Sequence, residues 1–242
     1  MRKITINLAA VAAFCIVVAS PALVSSSCAT PKTEQEDTTI IREDSGITAL
    51  KYSSPEVPSS IEFCGKVIDL SRFDRHERMD RELLAFTYMH STSLQMLKKA
   101  NRYFPIVEPI LKENGIPDDF KYLMVIESNM NPTARSSAGA AGLWQFMQGT
   151  GRDYGLEVNN NVDERYHIEK ATRAACRYLK DAYAKYKDWV AVAASYNAGQ
   201  ARIASQLAKQ DVDDSLDLQL VEETARYVYR ILAAKQLFNA PT

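Results

Sequence analysis

The sequence predicts one mostly α-helical domain behind an export leader, and three observations predict it. Apolar residues recur at helical spacing through most of the chain after about residue 60. Pro, Asp, Asn and Gly stand where helices would begin and end. The C-terminal two thirds shows no convincing strand alternation. The 242 residues, 46% hydrophobic, suffice for one sizeable core with flanking segments to spare. A formal net charge of −1 provides no global basic field, so no nucleic-acid partner is expected. There is no repeat, no GxGxxG and no phosphate loop, and His76, His90 and His167 are scattered. Neither a metal site nor a cofactor is expected.

The first element is the leader, residues 1–27. Arg2 and Lys3 precede an apolar stretch from Leu8 to Val18, then small residues lead to Cys28. The stretch is too short and wrongly flanked for a spanning helix and reads as a signal peptide. Cleavage before Cys28 with lipid on that cysteine is the favoured reading, although Ser25 stands where a lipoprotein box usually has an aliphatic residue. Ordinary cleavage nearby and a soluble secreted product is the other. Cutting before Cys28 removes two positive charges and no acids, taking the formal charge from −1 to −3. The expected location is exported and periplasmic, with an outer-membrane lipid anchor. Cys64 and Cys176 then remain. They could form one disulfide, as exported cysteines do, or Cys176 could be a buried thiol on the apolar side of a helix.

Residues 28–60 are rich in Ser, Thr, Pro, Glu and Asp with little apolar periodicity, the composition of a flexible tether. The ordered domain, 61–242, opens with a helical extension. "RMDRELLAFTYMHSTSLQMLKKANRYF" carries an apolar stripe at Leu83, Leu84, Tyr88, Leu94 and Leu97. "YFPIVEPILKENGIP" predicts a shorter helix closed by Asn114-Gly115. Pro117, Asp118 and Asp119 open the next, since proline suits a first turn and acids suit the positive end of the dipole. Further helices are predicted in "HIEKATRAACRYLKDAYAKY", in "WVAVAASYNAG" up to Gly199, and in "LVEETARYVYRILAAKQLF".

One residue does not fit its element. In "YLMVIESNMNP" an apolar run ends on Glu127, and Phe120, Leu123, Met124 and Glu127 stand at i, i+3, i+4 and i+7. Glu127 therefore takes a core position. Burial disfavours its charge and raises its pKa, which suits a general acid near neutral pH. The competing reading is a buried ion pair, for example with Arg135. The next segment, "NPTARSSAGAAGLWQF", has glycines for tight turns and close ligand approach. Its Trp144 could stack on a sugar if exposed, or fill the core. No acid occurs between Glu127 and Asp153, so no neighbour in sequence offers the second carboxylate of an ordinary glycosidase pair.

Over roughly residues 80–238 the chain resembles the family 1 lytic transglycosylases, the soluble-lytic-transglycosylase domain, and most of all their membrane-bound lytic murein transglycosylase D branch. Four motifs carry the resemblance in order: Glu127-Ser128; Gly142-Leu143-Trp144-Gln145; Tyr196-Asn197-Ala198-Gly199; and Glu223-Thr224 with Tyr227-Val228. It implies a goose-type lysozyme-like fold acting on peptidoglycan glycan strands; a monomer is expected, meeting the membrane only through a lipid on Cys28. It implies non-hydrolytic cleavage of the β-1,4 bond between N-acetylmuramic acid and N-acetylglucosamine, leaving a 1,6-anhydro ring in the muramic residue. One Glu suffices for that reaction, and the residue carried over is Glu127. Ser128 helps place it, binds substrate, or closes the helix. Gln145 lines the cleft. Tyr196 brings a hydroxyl near Glu127 or packs in the core. Asn197 orders local backbone, and Tyr227 lines the cleft or packs. Trp144 replaces the usual Met, which puts subsite shape in question, and no C-terminal LysM module is expected. Two other functions stand beside this one: an inactive wall-binding scaffold on the same fold, and a lysozyme-type hydrolase.

Overall fold

A computed structural model describes residues 55–212 and 214–239, all within one compact unit, Ser53–Thr242; no side chain is described for His90. The expected signal peptide, Cys28 and all but the end of the expected tether lie outside the described residues.

The ordered domain opens with a β-hairpin rather than a helix. Strands β1 (Ser60–Phe63) and β2 (Lys66–Asp69) pair antiparallel, with Ile61 opposite Ile68 and Phe63 opposite Lys66. Cys64 and Gly65 form the turn, both left-handed at φ 54° and 83°, the geometry that a two-residue hairpin loop favours. Four-residue strands are too short for alternation to be read. Ile61, Phe63 and Ile68 are buried, while Val67 faces solvent.

Helix α1 (Phe73–Tyr88) and helix α2 (His90–Glu113) replace the long helix and the short helix expected from sequence. The break falls at Met89, where no Gly or Pro marks it. The buried Ser93 hydroxyl donates to the Phe86 carbonyl at 2.5 Å, satisfying one of the carbonyls that the end of α1 leaves free. This break resets the helical phase. Met79, Leu83 and Phe86 of α1 and Met96, Ala100 and Val107 of α2 face the core, whereas Tyr88 and Leu94 of the expected stripe are exposed. Pro105 and Pro109 do not start a new helix; they sit on the exposed side of α2, where carbonyls freed by proline can reach water. The end of α2 is as expected, with Asn114 at the cap and Gly115 left-handed at φ 64°.

Helix α3 (Phe120–Ser128) follows Pro117-Asp118-Asp119 and is buried on nearly every side. Helix α4 (Gln148–Asp153) and helix α7 (Gln200–Lys209) were not legible in the sequence. Helix α5 (Ile168–Tyr186) buries Ala171, Ala174, Ala175 and Cys176, small side chains that let α2 approach closely. Helix α6 (Trp189–Ala198) is a core helix that stops at Gly199, φ 86°. Helix α8 (Glu222–Asn239) packs against α1, α3 and α6. Both described cysteines are free. The disulfide alternative thus gives way to free thiols, and burial pushes the Cys176 thiol up to about 11. Among the described residues, no helix is long and apolar enough to cross a membrane.

Candidate active site

Glu127 is the last residue but one of α3. The helix cannot run on, because Asn129 and Met130 are both left-handed, at φ 49° and 59°. Asn tolerates that region; a methionine there is strained by roughly 1–3 kcal/mol unless its surroundings hold it. Met130 is held, with its side chain fully buried. The turn ends α3 one residue beyond Glu127 and starts the loop that leads to Trp144.

That loop is folded on itself and on Arg165. Gly142 has φ 78°, and a Cβ there would lie 1.9 Å from the Arg165 carbonyl oxygen, so only glycine fits. The buried Arg165 guanidinium donates to the carbonyls of Gly139 (2.8 Å) and Phe146 (3.0 Å) and grips Asp163 with Nε and Nη2. Nothing in the periodicity could have marked Arg165 as the brace of this loop, since the carbonyls it holds lie 19 and 26 residues away. Gln145, at φ 48°, donates its amide to the carbonyls of Gly142 (2.8 Å) and Ala134 (3.2 Å). Its NH₂ group therefore braces the loop. Trp144 is wholly buried and donates from Nε1 to the Thr172 hydroxyl at 2.9 Å. It fills the core and offers no stacking face.

Two tyrosines approach Glu127 from two different helices, α6 and α8. Tyr227 on α8, buried, donates its hydroxyl directly to Glu127 Oε1. Tyr196 on α6 donates instead to the Trp144 carbonyl at 2.8 Å, its ring packed against Phe146 and Tyr178. Tyr196 is still near enough that the Glu127 charge, after burial, pushes its phenol up. So the hydroxyl bonded to Glu127 belongs to Tyr227 and not to Tyr196. Ser128 is buried and donates back to the Met124 carbonyl at 3.3 Å, the helix-closing arrangement. Asn197 accepts the Thr224 hydroxyl at 3.0 Å and so ties α6 to α8.

Electrostatics set Glu127 apart. Burial is the largest influence and raises its pKa from the ordinary 4.5 to about 7. The Tyr227 hydrogen bond and the Arg230 charge oppose the rise, and the Glu223 charge adds to it. The cation acting on Glu127 is thus Arg230, not the Arg135 weighed from sequence. Glu223, Tyr227 and Arg230 stand at i, i+4 and i+7 on α8, one face of that helix. A carboxyl of this kind is part protonated at neutral pH. It can give a proton to a leaving oxygen and take one back, with a phenol stabilising the carboxylate in between.

Residues 105–217 match the Transglycosylase SLT domain. Over 168 residues the chain is 30% identical to the membrane-bound lytic murein transglycosylase D of Escherichia coli K12, covering 67% of this chain and 36% of that protein. It is 31% identical over 123 residues to the peptidoglycan transglycosylase gp16 of Escherichia phage T7, covering 49% of this chain and 9% of that protein. An X-ray structure of an inactive mutant of the lytic transglycosylase Slt from Pseudomonas aeruginosa aligns over 58% of this chain and 25% of that chain, with TM-score 0.48 and 23% identity. The chain spans little more than a third of the length of the transglycosylase D relatives it matches. Glu127, Gln145 and Tyr196 fall inside the matched segment; Tyr227 falls beyond it.

Proposed function

We propose, from the match of residues 105–217 to the Transglycosylase SLT domain, that this chain is a peptidoglycan lytic transglycosylase with Glu127 as its acid and base. The observation that carries the reading is one partly buried carboxyl, its pKa near 7, bonded to a buried phenol. The protonated Glu127 gives its proton to the glycosidic oxygen as the bond from the muramic C1 breaks, and N-acetylglucosamine leaves with a free 4-hydroxyl. Glu127, now a carboxylate held by the Tyr227 hydroxyl, takes the proton of the muramic C6 hydroxyl. That oxygen bonds to C1 and closes the 1,6-anhydro ring. Glu127 ends protonated and no water is consumed. In this scheme Gln145 shapes the cleft by bracing its loop, and Tyr196 fixes the same loop through Trp144.

Mass spectra of peptidoglycan digested by the protein test this. Anhydro-muropeptides are the expected product. Reducing muropeptides would make it a hydrolase, with Glu223 the nearest candidate for a second carboxylate, and no release would make it a wall-binding scaffold.

The reading extends to export and to a lipid on Cys28, supported by the leader and by relatives named as membrane-bound. Cell fractionation checks it: the wild type should pellet with membranes and Cys28→Ser should not. Wild type found in the soluble fraction would remove the anchor.

A further inference from the structure

Tyr227 lies on α8, beyond the matched SLT segment, and so does the element that holds it in place. Helix α1, residues 73–88, also lies outside residues 105–217, and α1 and α8 pack along one another. Three polar links join α8 to the hairpin and α1. Near the C-terminal end of α8, Lys235 donates to the Glu62 carbonyl (2.6 Å) and pairs with Asp119 (2.7 Å), which itself accepts the Cys64 N–H at 2.6 Å. At the N-terminal end, Arg81 pairs with Glu222 at 2.8 Å, an exposed link worth little by itself. Between them is Glu82. It sits on the buried face of α1, at helical spacing with Arg75, Met79 and Phe86, and is 2% exposed.

Glu82 accepts both forks of one guanidinium: Arg226 Nε at 2.7 Å and Nη2 at 3.2 Å, with Arg81 Nε at 3.3 Å on the same carboxyl. Such two-point contacts fix orientation as well as distance. Arg226 is the residue before Tyr227. Successive residues on a helix differ by about 100°, so pinning Arg226 towards α1 sets where Tyr227 points on the next face.

We propose that Glu82 is a positioning residue for the Glu127 site: by gripping Arg226 it fixes the rotation of α8 that presents the Tyr227 hydroxyl to Glu127. The charged and titratable groups that act on Glu127 are Tyr227, Arg230 and Glu223 from α8, with Tyr196 facing it from α6. Three of the four ride on α8, so a turn of that helix moves them together. The hairpin and α1 then brace the helix that supplies the part of the site lying outside the SLT segment.

The catalytic consequence rests on the reading of Glu127 as the acid, but the geometry can be read without activity. In ¹³C-glutamate-labelled protein, the Glu127 carboxyl is assigned by its absence from Glu127→Gln and titrated in wild type and in Glu82→Gln. Loss of the Tyr227 hydrogen bond leaves the carboxylate less stabilised. The Glu127 midpoint should therefore rise by about half a pH unit or more in Glu82→Gln, and turnover should fall roughly 10-fold with KM little changed. An unchanged midpoint in folded Glu82→Gln overturns the proposal. Glu82→Gln leaves Arg226 without its charge partner, so Glu82→Leu/Arg226→Met is measured beside it. That pair keeps apolar packing between α1 and α8 while removing the directional grip. It should show the same rise, and a wild-type midpoint there also overturns the proposal. Wild type that releases no anhydro-muropeptides sinks the transglycosylase reading and leaves the titration to decide the role of Glu82.

Discussion

Glu82 and Glu127 are the same residue in the same kind of place, and they are prepared for opposite work. Each takes a core-facing position on a helix, α1 for one and α3 for the other. Glu82 meets two guanidinium groups that satisfy its charge. Glu127 meets a phenol, and the nearest opposing charge, Arg230, acts without a hydrogen bond, so burial dominates and the pKa climbs to about 7. A carboxylate gripped by arginines ties two helices together and serves structure. One answered by a hydroxyl keeps a proton that it can release near neutral pH. Position on the helical wheel does not separate the two; the partner does, and the bidentate Arg226 and the Tyr227 hydroxyl lie 144 and 100 residues away.

Removing the proton separates the two carboxyls most sharply. Glu127→Gln is nearly isosteric and cannot exchange one, so turnover should drop at least ~10³-fold with the fold retained. Stability should move in a direction specific to this site. The folded pKa lies above the ordinary 4.5, so the fold holds the proton more tightly than the unfolded chain does. Stability from this group is full below pH 4.5 and declines as the pH rises through about 7. A rise from 4.5 to about 7, at ~1.4 kcal/mol per pK unit, puts the decline at ~3 kcal/mol. Glutamine escapes it. Denaturant melts should find Glu127→Gln more stable than wild type at pH 8 and equal to it at pH 4. A difference that does not depend on pH would mean that Glu127 is not held proton-bound by the fold.

Much of this was legible in the sequence, and the failures have physical causes. Glu127 was visible because every neighbour on its helix face is apolar. Glu82 gave the same signal more faintly, since α1 is charged on its other faces and the core residues Met79 and Phe86 lay outside the stripe read from sequence. The hairpin was missed because its strands have four residues each, and the break at Met89 because a serine hydroxyl caps α1 where Gly or Pro would be looked for. The separate shorter helix expected from residue 103 merges into α2, because exposed prolines are tolerated within a helix that tertiary packing holds. The motif tyrosines were both flagged, but their roles depend on which hydroxyl finds Glu127 and which finds the Trp144 carbonyl. That is a matter of three helices meeting, and no spacing encodes it.

The smaller effect isolates that difference and tests whether burial against the Tyr227 hydroxyl places the proton of Glu127 near neutral pH. The measurement is the rate of anhydro-muropeptide release against pH for wild type, Tyr227→Phe and Tyr196→Phe. Glu127 must begin protonated, so activity should be present below about pH 7 and fall as the pH rises through it. Removing the Tyr227 hydroxyl takes away an interaction that favours the carboxylate. The alkaline limb of Tyr227→Phe should therefore move to higher pH, with the maximal rate down about 10-fold, or ~1.4 kcal/mol of barrier. Tyr196→Phe, which loses a bond to backbone, should keep a limb close to that of wild type and lose at most ~1 kcal/mol of stability. A wild-type limb near pH 4.5, or a limb that stays in place in Tyr227→Phe, would contradict the account.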